Sequence, residues 1–170
     1  MKQIDVFSYA EQLTRALPEG ILLNTNGEKF NSMVIGWGHL GVIWGKPTFT
    51  VYVRQSRYTK AQIDRTGEFT LSAPVRGVLP PRIMEICGSR SGRDVDKAEE
   101  AGLTVAVPYF NHTPGIVEAP LTLECRAIYR QDQVVRAIPA EIQSRYYAEA
   151  GAEDFHTAYI GEIIGAYLLD

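Results

Sequence analysis

The chain has 170 residues, of which 45% are hydrophobic and 22% charged. This length is sufficient for one domain with a hydrophobic core (residues 1–170) and too short for two domains of ordinary size. Its net charge of −3 argues against a nucleic-acid-binding protein, and no apolar run is long enough to span a membrane. Cys87 and Cys125 stand far apart, the three histidines are scattered, and the N-terminus lacks the apolar segment of a secretory signal. These features predict a cytoplasmic, reduced protein without a metal site.

The first third of the chain predicts one helix followed by two short strands. Apolar residues at helical spacing indicate a helix over Tyr9–Leu17, which Pro18-Glu19-Gly20 stops. A short strand over Ile21–Asn24 and a turn rich in Asn and Gly follow. A second strand ends at Trp37, with Met33, Ile35 and Trp37 on its bulky face.

The stretch from Thr48 to Gln62 carries the first candidate binding site. Dense β-branched and aromatic residues predict a buried strand over Thr48–Val53. Thr59 with Gln62 fits a capping box, which predicts a helix over Lys60–Arg65. A helix N-terminus beside two arginines and several hydroxyls is a good phosphate receptor, and a capped surface helix with solvated arginines is an equally good interpretation. The residues concerned are Arg54, Ser56, Arg57, Tyr58 and Thr59.

A second candidate anion site follows the next strand and helix. A strand is predicted over Phe69–Ala73, and a short helix over Arg82–Cys87. The small-residue, basic loop Gly88–Lys97 then runs into another helix, with Asp94 as its expected N-cap and Gly102 as its stop. A flexible basic loop without a ligand is the alternative interpretation.

The last third of the chain predicts mostly hairpins. The weak run Leu103–Val107 and the strictly alternating run Leu121–Tyr129 indicate strands, and the second should pair with Gln133–Ile138 across a turn. A helix over Ala140–Ala148 and a strand over Tyr159–Leu169 complete the chain. Glu162, among apolar residues of that strand, should lie on an exposed edge or pair with a cation.

At least six short strands in hairpins, without βαβ alternation, favour a mainly β, mostly antiparallel barrel with peripheral helices. No GxGxxG follows a strand and no GxxxxGK[ST] occurs, so neither standard nucleotide-binding loop is present.

Three segments together resemble one family. NSMVIGWGHLGVIWGKPTFTVYVRQSRYT, CGSRSGRDVDKAEEAGLT and FHTAYIGEI occur in the order found in the flavin reductase-like, FMN-binding proteins that include flavoredoxin. Each segment is weak alone, and the three in order make the resemblance specific. It implies a split β-barrel, usually a homodimer, that binds one FMN per subunit near the interface.

The resemblance also implies where FMN binds. The flavin ring would lie along the strand that ends at Trp37, and its phosphate at the start of the predicted helix and at the basic loop. Two departures from the family pattern stand out: Val34 replaces a common Thr, and Gln55 replaces a common Pro. The implied cofactor-binding residues are Val34, Ile35, Gly36, Trp37, Arg54, Ser56, Arg57, Tyr58, Thr59, Ser89, Ser91, Gly92, Lys97, His156 and Tyr159.

The implied function is that of an FMN-dependent oxidoreductase, a flavin reductase or a flavoredoxin-like electron-transfer protein. The reaction would take place at flavin N5, so no protein residue is needed as acid, base or nucleophile. The electron donor would be NAD(P)H or a ferredoxin-type redox protein. Two alternatives are a non-catalytic module that binds FMN or senses a phosphorylated ligand, and a split barrel that uses haem or a deazaflavin.

Overall fold

The computed structural model describes residues 1–148 and 154–170. The strands in these two ranges are β1 (Lys2–Gln3), β2 (Ile21–Asn26), β3 (Phe30–Ile35), β4 (Gly38–Ile43), β5 (Lys46–Arg54), β6 (Glu68–Ala73), β7 (Leu121–Asp132) and β8 (His156–Leu168). The helices are α1 (Ala10–Glu19), α2 (Tyr58–Thr66), α3 (Pro81–Ser89), α4 (Lys97–Ala101) and α5 (Ala140–Tyr146). Two 3₁₀ turns lie at Val6–Tyr9 and Val135–Ala137.

All strands belong to one antiparallel sheet, as predicted. Its order is β3-β2-β6-β7-β8-β5-β4, and β1 adds to β8. The two end strands, β3 and β4, follow each other in the chain but do not pair with each other. The sheet is therefore open between them, and one edge of β3 is unpaired among the residues that the structure describes.

The alternation of side chains along the strands produces two apolar clusters, one on each side of β2. Leu23 and Ile21 face the main core with Phe49, Phe69 and other strand residues. Leu22 faces the opposite side, where α3 and α4 pack over β2 and β3. Helix α3 is thereby fixed against the back of β3.

Several predictions about the second half of the chain were wrong. Gln133–Ile138 is not a strand, and the predicted turn at residues 130–132 is the last part of β7. The partner of β7 is the long strand β8, from Leu121 opposite Leu168 to Asp132 opposite Thr157. Leu103–Val107 forms only an isolated bridge, through Val105. The predicted helix at residues 140–148 ends at Tyr146.

Both predicted helix caps were also wrong. Thr59 is already inside α2, whose cap position is Arg57 without a side-chain hydrogen bond. The side-chain oxygen Oε1 of Gln62 instead accepts a hydrogen bond from the backbone N–H of Gly27, at 2.7 Å. Asp96, not Asp94, caps α4, because its carboxylate accepts from the two N–H groups of the first turn.

Glu162 was predicted to lie on an exposed edge or to pair with a cation, and the structure confirms the pairing. Its carboxylate lies 2.5 Å from Lys46 Nζ and 3.0 Å from Arg126 Nη2. These two cations hold the pKa of Glu162 below its usual value.

In the part of the chain that the structure describes, no helix is long and apolar enough to cross a membrane.

Candidate functional site

A cleft runs along the unpaired edge of β3 and has two halves. The aromatic half has a volume of about 250 Å³, and the basic half about 230 Å³. Met33, Val34 and Arg57 line both halves, so the two are continuous. The aromatic half is completed by Ile35, Gly36, Trp37, Tyr52, Arg54, Tyr146 and His156. The basic half is completed by Asn31, Ser56, Tyr58, Thr59, Cys87, Gly88, Arg90, Ser91, Gly92, Arg93 and Lys97.

The unpaired edge of β3 offers backbone groups to a ligand. Ser32 turns its carbonyl toward this edge, where Lys97 Nζ donates to it at 2.7 Å. In an antiparallel strand, the N–H and C=O of alternate residues point to the same edge. The N–H and C=O of Val34 therefore also point away from β2 and toward the cleft that Val34 lines. This supports the predicted main-chain contacts of Val34.

The side chain of Val34 takes part in the packing of the protein. It packs with the apolar cluster beneath α3, next to Met84 and Leu22. Its Cγ1 lies so close to Gly20 that a Cβ there would come within 2.9 Å. In this chain the Val34 side chain therefore contributes to packing.

The basic half of the cleft lies at the N-terminus of α2, where the first backbone N–H groups have no partner within the helix. Arg57 is exposed, lines both halves, and makes no side-chain hydrogen bond or ion pair to the described residues. Thr59 is buried, and its Oγ1 accepts from Asn31 Nδ2 at 2.9 Å. The hydroxyl proton of Thr59 is therefore free to be donated to a ligand.

The loop between α3 and α4 closes the basic half. Arg93 donates to the carbonyl of Ser56 at 3.1 Å, and its guanidinium stacks 5.2 Å from the ring centre of Tyr58. Gly92 lies so close to Asn31 that a Cβ would come within 2.1 Å of Oδ1. Ser91 lines the cleft beside them. The loop thus reaches its neighbours only because residue 92 has no side chain.

Two residues predicted to bind phosphate have hydrogen-bond partners within the protein. Ser56 donates to the carboxylate of Asp154 from its backbone N–H at 2.9 Å and from its hydroxyl at 3.0 Å. Arg54 donates to the carbonyls of Asp154 and Tyr146, at 3.2 and 2.6 Å. Both residues line the cleft, and they connect β5 to α5 and to the start of β8.

Lys97 lines the basic half but is almost fully buried, with 4% of its surface exposed. Its ammonium donates to the carbonyls of Ser32 and of Cys87, at 2.7 and 3.3 Å. Burial is the main cause that lowers the pKa of Lys97. Lys97 thus connects α3 to β3 and adds positive charge beneath the cleft.

His156 lines the aromatic half of the cleft together with other residues of the same chain. Its ring is buried and lies 5.0 Å from the ring of Trp37. Burial, followed by the positive charge of Arg54, lowers the pKa of His156 to about 4. The imidazole is therefore neutral at neutral pH.

The structure does not bring Ser89 and Tyr159 into the cleft. Ser89 donates its hydroxyl to the carbonyl of Glu85 within α3, at 2.6 Å. Tyr159 is buried on β8 and donates to Asp64 at 2.7 Å. Sequence reasoning in turn missed several lining residues, among them Asn31, Tyr146 and the two arginines Arg90 and Arg93. Only the arginines carried a signal, because they lie in the basic loop.

The chain belongs to the flavin reductase-like domain family, whose model matches residues 14–170. The family predicted from the three sequence segments is therefore confirmed. Membership of this family indicates a redox function that involves a flavin. A comparison with curated proteins gave no match.

Solved structures agree with this assignment. The chain is similar to flavoredoxin from Methanosarcina acetivorans, with 26% identity and a TM-score of 0.65, over 89% of this chain and 68% of that one. Flavoredoxin of Desulfovibrio vulgaris (Miyazaki F) gives 25% identity and 0.65, over 89% and 69%. A flavin reductase with a split barrel domain from Shewanella frigidimarina gives 16% and 0.68, over 98% and 76%, which supports the fold. The predicted split barrel is confirmed.

Proposed function

We propose that this protein is an FMN-binding oxidoreductase of the flavin reductase or flavoredoxin type. The observation that carries the proposal is the continuous cleft along β3, which has aromatic rings at one end and Arg57 at a helix N-terminus at the other. The Arg57 side chain has no partner in residues 1–148 and 154–170. FMN has the matching chemistry, because it joins a flat aromatic ring system to a phosphate. The family match and the similarity to flavoredoxins support the same cofactor.

The residues of the cleft fit this cofactor. The backbone of Val34 offers one donor and one acceptor at the unpaired edge of β3, as the polar edge of the flavin ring requires. Arg57, the hydroxyl of Thr59 and the first N–H groups of α2 would hold the phosphate. Trp37 and Tyr146 would shield the ring from water at the far end.

Bound FMN would accept and release electrons at N5, which is chemistry that no protein side chain supplies. The protein then has to bind the cofactor, exclude water from part of it and keep the cleft accessible to a reductant. The neutral imidazole of His156 adds no charge to the aromatic half. We propose NAD(P)H or a ferredoxin-type redox protein as the electron donor.

The visible spectrum of the purified protein, followed by an FMN titration, tests cofactor binding. Anaerobic mixing of the FMN-loaded protein with NADH, NADPH or a reduced ferredoxin then tests the reaction, with free FMN as the control. We expect flavin bleaching with at least one donor, faster than for free FMN. Tight FMN binding without accelerated reduction by any of them would favour the non-catalytic binding module, and failure to bind FMN would refute the proposal.

We also propose a cytoplasmic homodimer. Val42 and Trp44, in and after the edge strand β4, are 65% and 64% exposed, which is unusual for such apolar side chains. Both cysteines are buried and unpaired, which suits a reducing compartment. Sedimentation should give twice the mass of one chain, and Trp44→Glu should shift the equilibrium toward monomer. A wild-type monomer at micromolar concentration would exclude the dimer.

A further inference from the structure

A short hydrogen-bond relay lies behind His156, on the side away from the cleft. Tyr147 Oη is 3.0 Å from Nδ1 of His156 and 2.7 Å from Oε1 of Gln133. Gln133 is also attached to the backbone of His156 at two points. Its side-chain oxygen accepts from the His156 N–H at 3.3 Å, and its backbone N–H donates to the His156 carbonyl at 3.0 Å.

These contacts fix the direction of every hydrogen bond in the relay. The backbone N–H of His156 can only donate, so the Gln133 atom that faces it must be the carbonyl oxygen. A carbonyl oxygen can only accept, so Tyr147 must donate its single hydroxyl proton to Gln133. Tyr147 therefore has only lone pairs left for His156, and Nδ1 must carry the proton.

The other ring nitrogen, Nε2, is then an acceptor. It has no hydrogen-bond partner among the described residues, and it is not one of their fully buried unpartnered atoms. The imidazole lines the aromatic half of the cleft. Nε2 is thus the open polar atom of this ring, available to a ligand that presents an N–H or O–H.

We infer that Tyr147 and Gln133 are positioning residues that hold His156 in the neutral Nδ1–H tautomer and so present Nε2 as a hydrogen-bond acceptor in the cleft. The charged groups around the ring act on its charge rather than its tautomer. Arg54 on β5 and Arg57 before α2 oppose protonation, and Asp154 before β8 favours it. The lowered pKa keeps the ring neutral at neutral pH, so the tautomer decides what it can bind.

Long-range ¹H–¹⁵N correlation spectra of histidine-labelled protein at pH 7 test this inference, because protonated and bare imidazole nitrogens have widely separated ¹⁵N shifts. The chain has only three histidines, and the His156 signals are assigned by their absence in His156→Gln. We expect a protonated Nδ1 and a bare Nε2. A dominant Nε2–H form or an imidazolium would overturn the inference, whether or not the protein binds FMN.

Two variants separate the relay from simple packing. In Tyr147→Phe the Nδ1–H loses its acceptor, so the spectrum should shift toward the Nε2–H tautomer. In Gln133→Leu the hydroxyl of Tyr147 is free to turn and donate to Nδ1, so the same shift is expected although Tyr147 is intact. Tyr129→Phe is the matched control, since its hydroxyl also donates to a glutamine, Gln131, at 3.1 Å.

The outcomes are distinct. An unchanged tautomer in both variants would show that the relay does not set it, and a shift in the control would show that the effect is unspecific. If a variant fails to fold, the wild-type spectrum alone still decides whether Nδ1 is protonated. The tautomer is measured without flavin, so a result that overturns this inference leaves the proposed oxidoreductase function untouched, and the reverse also holds.

Discussion

Removing the guanidinium of Arg57 should weaken FMN binding through the phosphate alone. Arg57 is the arginine of the cleft whose side chain makes no hydrogen bond or ion pair to the described residues, so its truncation costs little within the protein. A charge-assisted hydrogen bond contributes about 1.5–3 kcal/mol. Arg57→Ala should therefore raise the FMN dissociation constant by roughly 10- to 150-fold. Because Arg57 is exposed, we expect the lower part of that range.

The assay is a fluorescence titration with FMN and, in parallel, with riboflavin, which has the same ring and no phosphate. The loss should be seen with FMN and nearly vanish with riboflavin. Arg65→Ala is the matched control, since Arg65 is an exposed arginine in the last turn of the same helix. An equal loss for both ligands, or no loss for FMN, would show that the phosphate does not bind at Arg57.

Three further predictions concern stability and the shape of the cleft. Glu124 is fully buried and accepts from three backbone N–H groups in the loop before β7, at 2.6–2.8 Å. Glu124→Gln turns a donor toward these donors and should lower the free energy of unfolding by about 3 kcal/mol in urea titrations. His156 has a pKa of about 4 in the folded chain and about 6.5 when unfolded, so the unfolded state binds more protons between these values and stability falls as the pH is lowered through them. The full pKa shift corresponds to about 3 kcal/mol of stability. Since the ring lines an open cleft, we expect a loss of only about 1–2 kcal/mol. It should be seen as a difference in unfolding free energy between wild type and His156→Gln that becomes smaller from pH 7 to pH 4. In Gly92→Ala the new methyl group would lie 2.1 Å from Oδ1 of Asn31, so either the loop or the Asn31 side chain, which donates to Thr59, must move. FMN affinity should then fall at least about tenfold, whereas Gly41→Ala, with open space around it, should bind FMN normally.

The parts of the site that could be predicted from the sequence are those that neighbouring residues create. The change from a β-branched strand to a helix places Arg57 and Thr59 at a helix N-terminus, whatever the rest of the fold does. The alternation in β3 likewise predicts a strand, although its last residue is Ile35 rather than Trp37. These predictions hold because they depend on a few consecutive side chains.

The parts that could not be predicted depend on contacts between distant segments. Nothing near Ser56 in the sequence indicates that Asp154, 98 residues later, occupies its donors. Lys97 looked like a phosphate ligand because it is a lysine in a basic loop, and its contact with the Ser32 carbonyl spans 65 residues. Gln133–Ile138 was assigned to a hairpin because it directly follows β7 in the sequence. The actual partner of β7 is the C-terminal strand β8. Pairing across such separations leaves no local pattern.

The opening in the barrel and the candidate binding site have the same cause. Strands β3 and β4 are consecutive but end on opposite margins of the sheet, so β3 keeps a row of backbone groups that no strand satisfies. Lys97 satisfies the carbonyl of Ser32 at the closed end of this row. The next outward pair of groups, on Val34, faces the half of the cleft that Arg57 and Trp37 also line, and no lysine of the described residues lines that half. Under the proposed function, a flavin with its own donors and acceptors would complete the edge at this point, and no dedicated nucleotide-binding loop would be needed.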